Sequence, residues 1–427
     1  MTKIKSVAVV GLGYVGLPLA LLADKKAFSV YGLDIDQKKI DTLLNDKSYI
    51  GDVDDKIIKQ SNITFSSDFS LVAKSDAVII CVPTPVTHDK QPDLTPVKGA
   101  VASVAPHLQD GTLVVIESTI NPGVCDDIVA PLLEKLTGKK IGSEILLAHC
   151  PERINPGDEV WNVSNINRVV GANSAHELKF AVELYKKLID AEVKPMGSLK
   201  EAEAVKVVEN SFRDINIAFV NELAMSFHKL GINIENVIDG AATKPFAFMP
   251  HRPGAGVGGH CIPVDPYYLI EYAHSYGFEH DFLRLARNIN EGMPKFTVDL
   301  LIDALNEAGK PLKGTKIALL GLSYKPNVGD SRESPAYVIK DLLEQAEATI
   351  SIYDPFVLEE SNVSSIDEAL DGAAAVLIAT GHNEYKNITA QLLSESGVDI
   401  LIDGRNLLKN QKNELVRQGI NYVGVGI

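Results

Sequence analysis

The sequence has few cysteines for its length, and it lacks the motifs of several enzyme classes. Its 427 residues include four cysteines. No two of them form a C-x-x-C pair, which argues against a zinc ribbon or a thioredoxin motif, and four are too few for a disulfide framework. We therefore expect a reducing, cytoplasmic compartment with at most one reactive cysteine. H-E-x-x-H, G-x-S-x-G and P-loop patterns are also absent, which disfavours zinc hydrolases, serine hydrolases and NTPases.

Net positive charge is missing as well. The formal net charge is −15. Nucleic-acid binders normally present a basic face, so that class is disfavoured, whereas a small anionic ligand needs only a few local cations. An uncharged stretch, Ser6–Ala23, is interrupted by glycines and by Pro18, and it is marginal for a bilayer span. We expect neither a signal peptide nor a membrane anchor.

Short apolar strands alternate with helical segments near both ends of the chain, which predicts parallel sheets covered on both faces. Between them, Glu201–Leu230 lacks proline and glycine and repeats apolar residues every three or four positions. This pattern predicts one helix of about 45 Å, suited to joining two domains or forming a dimer seam. We predict an α/β fold with two Rossmann-like, doubly wound parallel-sheet domains, joined by the long central helix and a helical middle domain. The predicted domains are 1–200, 201–308 and 309–427.

The first predicted turn has the features of a dinucleotide site. Gly11-x-Gly13-x-x-Gly16 follows a strand and opens a helix, and Asp34 lies 23 residues after Gly11, at the end of the next strand. The glycines permit a tight turn and close approach to a pyrophosphate, while Asp34 would accept from a ribose hydroxyl and repel a 2′-phosphate. NAD is therefore expected rather than NADP. A later copy, GLSYKP at 321–326, has lost the second and third glycines and should keep the fold without cradling a pyrophosphate.

Polar loops follow other predicted strands of the first segment, at 83–85, 117–119 and 151–153. In an open α/β sheet, ligands lie beyond the carboxyl ends of the strands, so these loops should face the same crevice as the glycine turn. Ordinary turn chemistry accounts for the first loop equally well. Thr119 and Glu152 are the candidates for function.

Three polar residues follow one another along the predicted long helix. Lys206 and Asn210 are four residues apart and so share a face, and Arg213 follows about one turn later. A solvated stripe would explain the same spacing. A lysine covered by a second domain would instead have to pair with an anion or take part in chemistry.

A glycine-dense segment at 254–265 contains Cys261, with His260 beside it and Asp265 four residues later. Such loops let the backbone approach a ligand, and a thiolate nucleophile needs a polar or electropositive surrounding. The alternative for any cysteine is a small buried hydrophobe. We expect that alternative for Cys81, Cys125 and Cys150. Cations in loops are candidate phosphate clamps, namely His251, Arg252, Lys325, Arg332 and Arg405.

In this order, the motifs resemble those of the UDP-glucose/GDP-mannose dehydrogenase family over nearly the whole chain. They are GLGYVGLP at 11–18, VPTP at 82–85, EST at 117–119, PER at 151–153, K-x-x-x-N at 206–210, GGHCIPVDP at 258–266 and SRES at 331–334. Within the family, the chain resembles the branch that acts on UDP-N-acetylhexosamines. GGHC in place of GGSC, QPDLTP at 91–96 and PERINPG at 151–157 favour that branch.

The resemblance implies oxidation of the sugar C6 alcohol to a carboxylate with two NAD⁺ per turnover. It also implies that the product is used in surface polysaccharide synthesis. The gluco and manno epimers are the preferred substrates, with galacto as a third option. A first hydride transfer gives an aldehyde. Cys261 would add to it to form a thiohemiacetal, a second transfer would give a thioester, and water would release the acid.

The resemblance also assigns residues by position. The implied catalytic group is Cys261, Lys206, Asn210, Asp265, Glu152 and Thr119. NAD would contact the turn glycines together with Tyr14, Val15, Asp34, Lys39, Thr84, Thr119 and Arg332. The substrate would contact Arg153, Ile154, Lys206, Asn210, Arg213, Gly258 and Lys325, with His251 and Arg252 reaching it across a homodimer interface formed by the long helix. The third domain would hold the uridine diphosphate, and no metal, nucleic acid or membrane is implied.

One departure from the UDP-glucose branch leaves a role open. That branch carries a second carboxylate four residues after the PE glutamate, where this chain has Pro156, so activation of the water would fall to Glu152 or Asp265. The alternative activities are a UDP-glucose 6-dehydrogenase, disfavoured by His260 and Pro156, and a non-catalytic protein that binds nucleotide sugar or NAD. The intact Cys261 disfavours the second alternative.

Overall fold

Two sheets built mainly of parallel strands organise the chain. A computed structural model describes residues 4–51, 53–87, 91–154, 160–259 and 261–427. The chain divides into two compact units, which are 1–209 with 267–278 (unit 1) and 210–266 with 279–427 (unit 2). Each unit contains one of the sheets, so the prediction of two Rossmann-like domains is confirmed. The finer division at 200/201 and 308/309 stays a prediction.

The sheet of unit 1 has the strand order β3-β2-β1-β4-β5-β6-β7-β8 among the described residues. The strands are β1 (Ser6–Val10), β2 (Ser29–Leu33), β3 (Thr64–Ser66), β4 (Ala77–Ile80), β5 (Leu113–Ile116), β6 (Leu146–His149), β7 (Arg168–Ala172) and β8 (Val193–Pro195). All neighbouring strands are parallel except β6 and β7, which are antiparallel. The chain reverses its direction of growth between β1 and β4, and this switch point is where such sheets bind ligands.

Helices cover both faces of this sheet. They are α1 (Gly16–Lys25), α2 (Gln37–Leu44), α3 (Asp55–Gln60), α4 (Thr95–Val104), α5 (Ala130–Thr137) and α6 (Ala175–Leu188), and a π-helix at Cys125–Val129 precedes α5. Successive strand residues enter opposite cores, because side chains alternate along a strand. In β1, Val7 and Val9 belong to one core, and Ala8 and Val10 belong to the other.

The predicted long helix is observed as α7 (Leu199–Leu230), with 32 residues. The boundary between the units falls within it, after Glu209. Three helices follow, α8 (Ile234–Ala242), α9 (Asp265–Ser275) and α10 (Asp281–Glu307). No helix in the described ranges is long and apolar enough to cross a membrane.

The sheet of unit 2 has the order β10-β9-β11-β12-β13, with all described neighbours parallel. Its strands are β9 (Lys316–Leu320), β10 (Thr349–Tyr353), β11 (Ala375–Ile378), β12 (Ile400–Asp403) and β13 (Asn421–Gly424). Its further helices are α11 (Pro335–Gln345), α12 (Ile366–Leu370), α13 (Ala390–Glu395) and α14 (Lys412–Arg417). Its switch point lies between β9 and β11, so GLSYKP occupies the position that the glycine turn has in unit 1.

Candidate active site

The glycine turn between β1 and α1 has the geometry of a phosphate cradle. Gly11 has φ +89°, and a Cβ there would lie 2.9 Å from the Cys81 carbonyl oxygen. A Cβ on Gly16 would lie 1.9 Å from the Gly11 oxygen. A Cβ on Gly13, by contrast, would have no described atom within 4 Å apart from its chain neighbours. Two glycines are therefore required by packing and the third faces open space, which fits close approach of a pyrophosphate.

Asp34 closes this turn from the end of β2. It is only 5% exposed. Its Oδ2 accepts from the Leu12 amide at 2.8 Å and faces Lys39 Nζ at 3.3 Å, while Oδ1 accepts from the Asp36 amide at 2.9 Å. A carboxylate offers about four acceptor positions, so one remains for a ribose hydroxyl. The turn and Asp34 together fit NAD.

The equivalent carboxylate in unit 2 is used differently. Asp354 is fully buried, and its Oδ2 accepts from the Leu322 and Ser323 amides, from the Ser323 hydroxyl and from His382 Nε2 at 3.0 Å. His382 Nδ1 accepts from the Asn327 amide, so the proton must lie on Nε2. Asp354 therefore holds its own loop together.

The carboxyl ends of β4, β5 and β6 carry three of the predicted residues, Thr84, Thr119 and Glu152. Because these strands are parallel to β1, the loops lie at the same edge of the sheet as the glycine turn. The Thr84 carbonyl accepts from the Tyr268 hydroxyl, and Ser118 Oγ donates to the Val82 carbonyl at 2.7 Å. The loops thus lie at the predicted edge of the sheet, and the roles of Thr119 and Glu152 stay predictions.

Arg153 follows Glu152 and is bound on two sides within unit 1. Its Nε and Nη2 donate to the two carboxylate oxygens of Glu209, at 3.2 and 2.5 Å, and its Nη1 donates to the Asn167 carbonyl at 2.8 Å. The side chain is therefore fixed in orientation within unit 1, and its contact with the substrate stays a prediction. Lys206 lies about one turn before Glu209 on α7.

Unit 2 brings Cys261, Asp265 and Asn210 together. Cys261 is partly exposed. The Asp265 amide donates to the Cys261 carbonyl at 2.8 Å, and Asn210 Nδ2 donates to Asp265 Oδ2 at 2.5 Å. The start of α9, the long helix α7 and the glycine-rich loop thus meet beside the Cys261 backbone, and the role of the thiol as a nucleophile stays a prediction.

The glycine-rich loop needs its glycines for packing. A Cβ on Gly258 would lie 2.6 Å from Tyr324 Cβ, and one on Gly259 would lie 2.8 Å from the Tyr324 ring. The Gly259 amide donates to the Arg332 carbonyl at 3.2 Å. Arg332 itself is paired with Asp330, and hydrogen bonding to Asp330 raises its pKa. The electrostatic interaction with Cys261 also raises the pKa of Arg332.

Three models of one protein family match the chain in succession. Models of the UDP-glucose/GDP-mannose dehydrogenase family match residues 5–189 as the NAD binding domain, 200–292 as the central domain and 318–410 as the UDP binding domain. The chain belongs to the UDP-glucose/GDP-mannose dehydrogenase family. The predictions of the family, of an NAD-dependent dehydrogenase and of NAD as cofactor are confirmed.

Relatives match this dehydrogenase along almost its whole length. A UDP-N-acetyl-D-glucosamine 6-dehydrogenase of Pseudomonas aeruginosa is 37% identical over 96% of this chain and 98% of its own. A UDP-N-acetyl-D-mannosamine dehydrogenase of Pyrococcus horikoshii is 36% identical over 97% and 98%. A solved structure of the UDP-D-ManNAc dehydrogenase from Pyrococcus horikoshii has a TM-score of 0.91 at 35% identity and covers 99% of both chains.

Several predicted cations of this dehydrogenase contact other protein groups. Arg252 pairs with Glu235 at 2.7 Å and also with Asp239. The His251 ring packs edge-on against Phe212 of α7, with the ring centroids 6.4 Å apart. Arg405 donates to the Ala379 carbonyl at 2.8 Å and to the Gly256 carbonyl at 3.2 Å, and burial lowers its pKa to about 10. Arg405 thus braces the glycine-rich loop, and its role as a phosphate clamp stays a prediction.

Two residues used in the sequence argument, Pro156 and His260, lie outside the described residues. Tyr14, Val15, Ile154, Arg213 and Lys325 keep their assignments as predictions. Sequence reasoning overlooked Arg168 and Tyr324, which contact the predicted residues Glu152 and Gly259 respectively. No motif marks either one, since Arg168 begins an ordinary apolar strand and Tyr324 stands in a loop next to a lysine.

Proposed function

We propose that this dehydrogenase oxidises the C6 alcohol of a UDP-N-acetylhexosamine to the carboxylate in two steps, consuming two NAD⁺ per sugar. The observation that carries the proposal is the environment of Cys261, a partly exposed residue whose backbone carbonyl is bonded to Asp265, which in turn is bonded to Asn210, while the other three cysteines are buried. The names of the relatives and the match to a UDP binding domain support the substrate class.

The Cys261 thiolate has a defined task in this reaction. NAD⁺, held by the Gly11–Gly16 turn and Asp34, supplies the hydride acceptor for both oxidations. Sγ adds to C6 of the aldehyde formed first, which makes a carbon–sulfur bond and a thiohemiacetal. Oxidation of that adduct gives a thioester, and water displaces the thiolate to release the acid. A covalent adduct keeps the aldehyde from leaving before the second oxidation.

The other residues of the proposed catalytic group would stabilise charge and transfer protons. Lys206 and Asn210 lie one turn apart on α7 and would stabilise the oxygen of C6 as negative charge develops on it. Asp265, held by Asn210, and Glu152 are the two carboxylates proposed to activate the hydrolytic water, with Thr119 helping to place it. Replacing each carboxylate separately by its amide decides between them.

The substrate contacts follow the sequence assignment. The residues proposed to hold the nucleotide sugar are Arg153, Ile154, Arg213, Gly258 and Lys325. We also propose a homodimer along α7, which would let His251 and Arg252 serve the neighbouring subunit. Finally, we propose that the enzyme works in the cytoplasm and that its product is used in surface polysaccharide synthesis.

The decisive experiment is a substrate panel. The purified protein is incubated with NAD⁺ and, separately, with the gluco, manno and galacto epimers of the UDP-N-acetylhexosamine and with UDP-glucose, while NADH is recorded. We expect two NADH per sugar with one of the N-acetylated sugars. One NADH per sugar would contradict the thioester route, and faster turnover of UDP-glucose would establish the alternative substrate. The panel is needed because relatives of both the glucosamine and mannosamine types match almost equally well.

A further inference from the structure

Arg168, at the start of β7, is a charged residue in the interior of unit 1. Its side chain is 0% exposed. Its Nη1 lies 2.9 Å from Glu152 Oε2 and 4.0 Å from Glu117 Oε2. Burying a charge is costly, and replacing a buried ion pair with apolar side chains is often neutral or stabilising. The presence of Arg168 is therefore poorly explained by stability alone.

The other oxygen of Glu152 is fixed by the loop that follows β6. Oε1 accepts from the amides of Arg153 and Ile154, both at 2.6 Å. The Glu152 amide in turn donates to the Glu117 carbonyl at 3.3 Å. With Oε2 facing Arg168, each carboxylate oxygen has a partner, so the orientation of the carboxylate and the course of the Arg153–Ile154 backbone are coupled.

Glu117 is the second anchor of Arg168. Its Oε1 accepts from the Tyr185 hydroxyl at 2.5 Å, and Cys81 Sγ lies 3.8 Å from its Oε2. The charged and titratable groups that face one another here come from β4, β5, α6, β7 and the loop after β6. They are Cys81, Glu117, Cys150, Glu152, Arg168 and Tyr185. One guanidinium thus serves two carboxylates, and it lies closer to Glu152.

We propose that Arg168 is a positioning residue that holds the Glu152 carboxylate and, through it, the Arg153–Ile154 backbone in the orientation required for the reaction. The proposal rests on the proposed function, in which Glu152 acts on the hydrolytic step and Arg153 and Ile154 contact the substrate. A buried guanidinium can do this because it stays charged, whereas a buried lysine readily loses its charge, and a buried pair such as Arg168 Nη1 with Glu152 Oε2 is screened much less than a surface pair.

The first test measures how firmly the Arg153–Ile154 backbone is held and does not depend on enzyme activity. Hydrogen exchange at the Arg153 and Ile154 amides is compared in the wild type, Arg168→Lys, Glu152→Gln and Leu133→Ala. Leu133 is fully buried in α5 and belongs to a core cluster without these ionisable groups, so its variant controls for lost stability. We expect faster exchange at these amides in the first two variants and wild-type exchange in the control. Wild-type exchange in Arg168→Lys would overturn the proposal.

The second test is a kinetic double-mutant cycle. Arg168→Lys should change the same parameter, kcat or KM for the UDP-sugar, that Glu152→Gln changes, by up to about 10²-fold, because a small misplacement of a reacting group costs that much. The double variant should be no worse than the worse single variant. If the fold-losses of the two single variants multiply in the double variant, the two residues act independently. That result, or wild-type kinetics in Arg168→Lys, would overturn the role of Arg168 in the reaction.

These two tests separate the failure of the inference from the failure of the proposed function. If the wild type oxidises no UDP-sugar, the proposed function fails, and the exchange measurement still decides whether Arg168 positions the loop. If the wild type is active and Glu152→Gln is fully active too, the role of Glu152 in the reaction is wrong, and with it the functional half of the inference. Arg168→Met removes the charge but keeps the volume. In this variant the Arg153 and Ile154 amides should exchange faster than in Arg168→Lys.

Discussion

Cys261 differs from the other cysteines in its exposure. Burial raises the pKa of Cys81, Cys125 and Cys150 well above the ordinary value, so these three stay protonated and unreactive at neutral pH. Cys261 is partly exposed and lies near the Arg332 guanidinium. The contrast between the four sites is what makes a covalent mechanism specific to one of them.

Replacing Cys261 should therefore separate the two halves of the reaction. We expect Cys261→Ser to lose acid formation by at least about 10³-fold, because a serine hydroxyl stays protonated where a thiol can ionise. Cys125→Ala should keep activity. Product analysis by mass spectrometry gives the readout, and brief alkylation of the native protein should label Cys261 alone. Acid formation at the wild-type rate in Cys261→Ser would exclude the thioester.

Glu117 makes stability depend on pH. Burial raises its pKa to about 7, opposed by Arg168 and assisted by the charge of Glu152. The native state therefore holds this proton up to higher pH than the unfolded state. The contribution of Glu117 to the free energy of unfolding is complete below the ordinary carboxyl pKa of about 4.5. It is lost as pH rises through the native pKa of about 7.

The free energy of unfolding should fall by an amount on the order of 3 kcal/mol through this residue between pH 4.5 and 8, at about 1.4 kcal/mol per pKa unit. Glu117→Gln cannot titrate and should lose correspondingly less stability over the same range. Urea unfolding of both proteins at pH 5 and pH 7.5 measures the difference. Equal pH dependence in the two proteins would show that Glu117 does not hold the proton.

At the scale of elements, the turn between β1 and α1 shows two different uses of glycine. Gly16 is needed because the Gly11 oxygen lies where a Cβ would stand. Gly13 borders open space, so a side chain there would disturb only an incoming ligand. The motif therefore combines a requirement of the fold with a requirement of binding, and the sequence pattern alone does not separate them.

A matched pair of substitutions tests this division. Gly16→Ala should unfold or strongly destabilise unit 1, since the added methyl group would meet backbone. Gly13→Ala should fold with a wild-type melting temperature but bind NAD⁺ at least about tenfold more weakly, because the methyl group occupies space needed by the pyrophosphate. Thermal melting and calorimetric titration with NAD⁺ give the two readouts. Normal NAD⁺ affinity in Gly13→Ala would contradict the cradle.

At the scale of the whole molecule, α7 presents apolar side chains to solvent. Val208, Phe212 and Phe219 are 54%, 49% and 53% exposed, and their spacings of four and seven residues place them along one helix face. An exposed apolar stripe of this kind usually marks a surface that another protein covers. A second copy of the chain is the partner proposed above, with α7 packed on α7.

Charged substitutions on this stripe should therefore change the assembly. We expect the wild type to sediment as a dimer and the double variant Phe212→Glu/Phe219→Glu to sediment as a monomer, since buried carboxylates would oppose association. Glu222→Gln, an exposed polar change on the same helix, serves as the control. A wild-type protein that is monomeric at micromolar concentration would refute the proposed interface.

The sequence by itself determined the two sheets, the long helix, the glycine turn with Asp34 and the loop that carries Cys261. These features are local, because strand and helix periodicity, turn glycines and motif order are written along the chain. Only the tertiary structure decided that Asp34 and Asp354, alike in sequence, differ in the partners that occupy them, and that Arg405 braces a loop. It also decided that Arg168 reaches Glu152 from another strand. Such contacts join residues far apart in the chain, and a buried charge acquires its role only from the groups that fold around it.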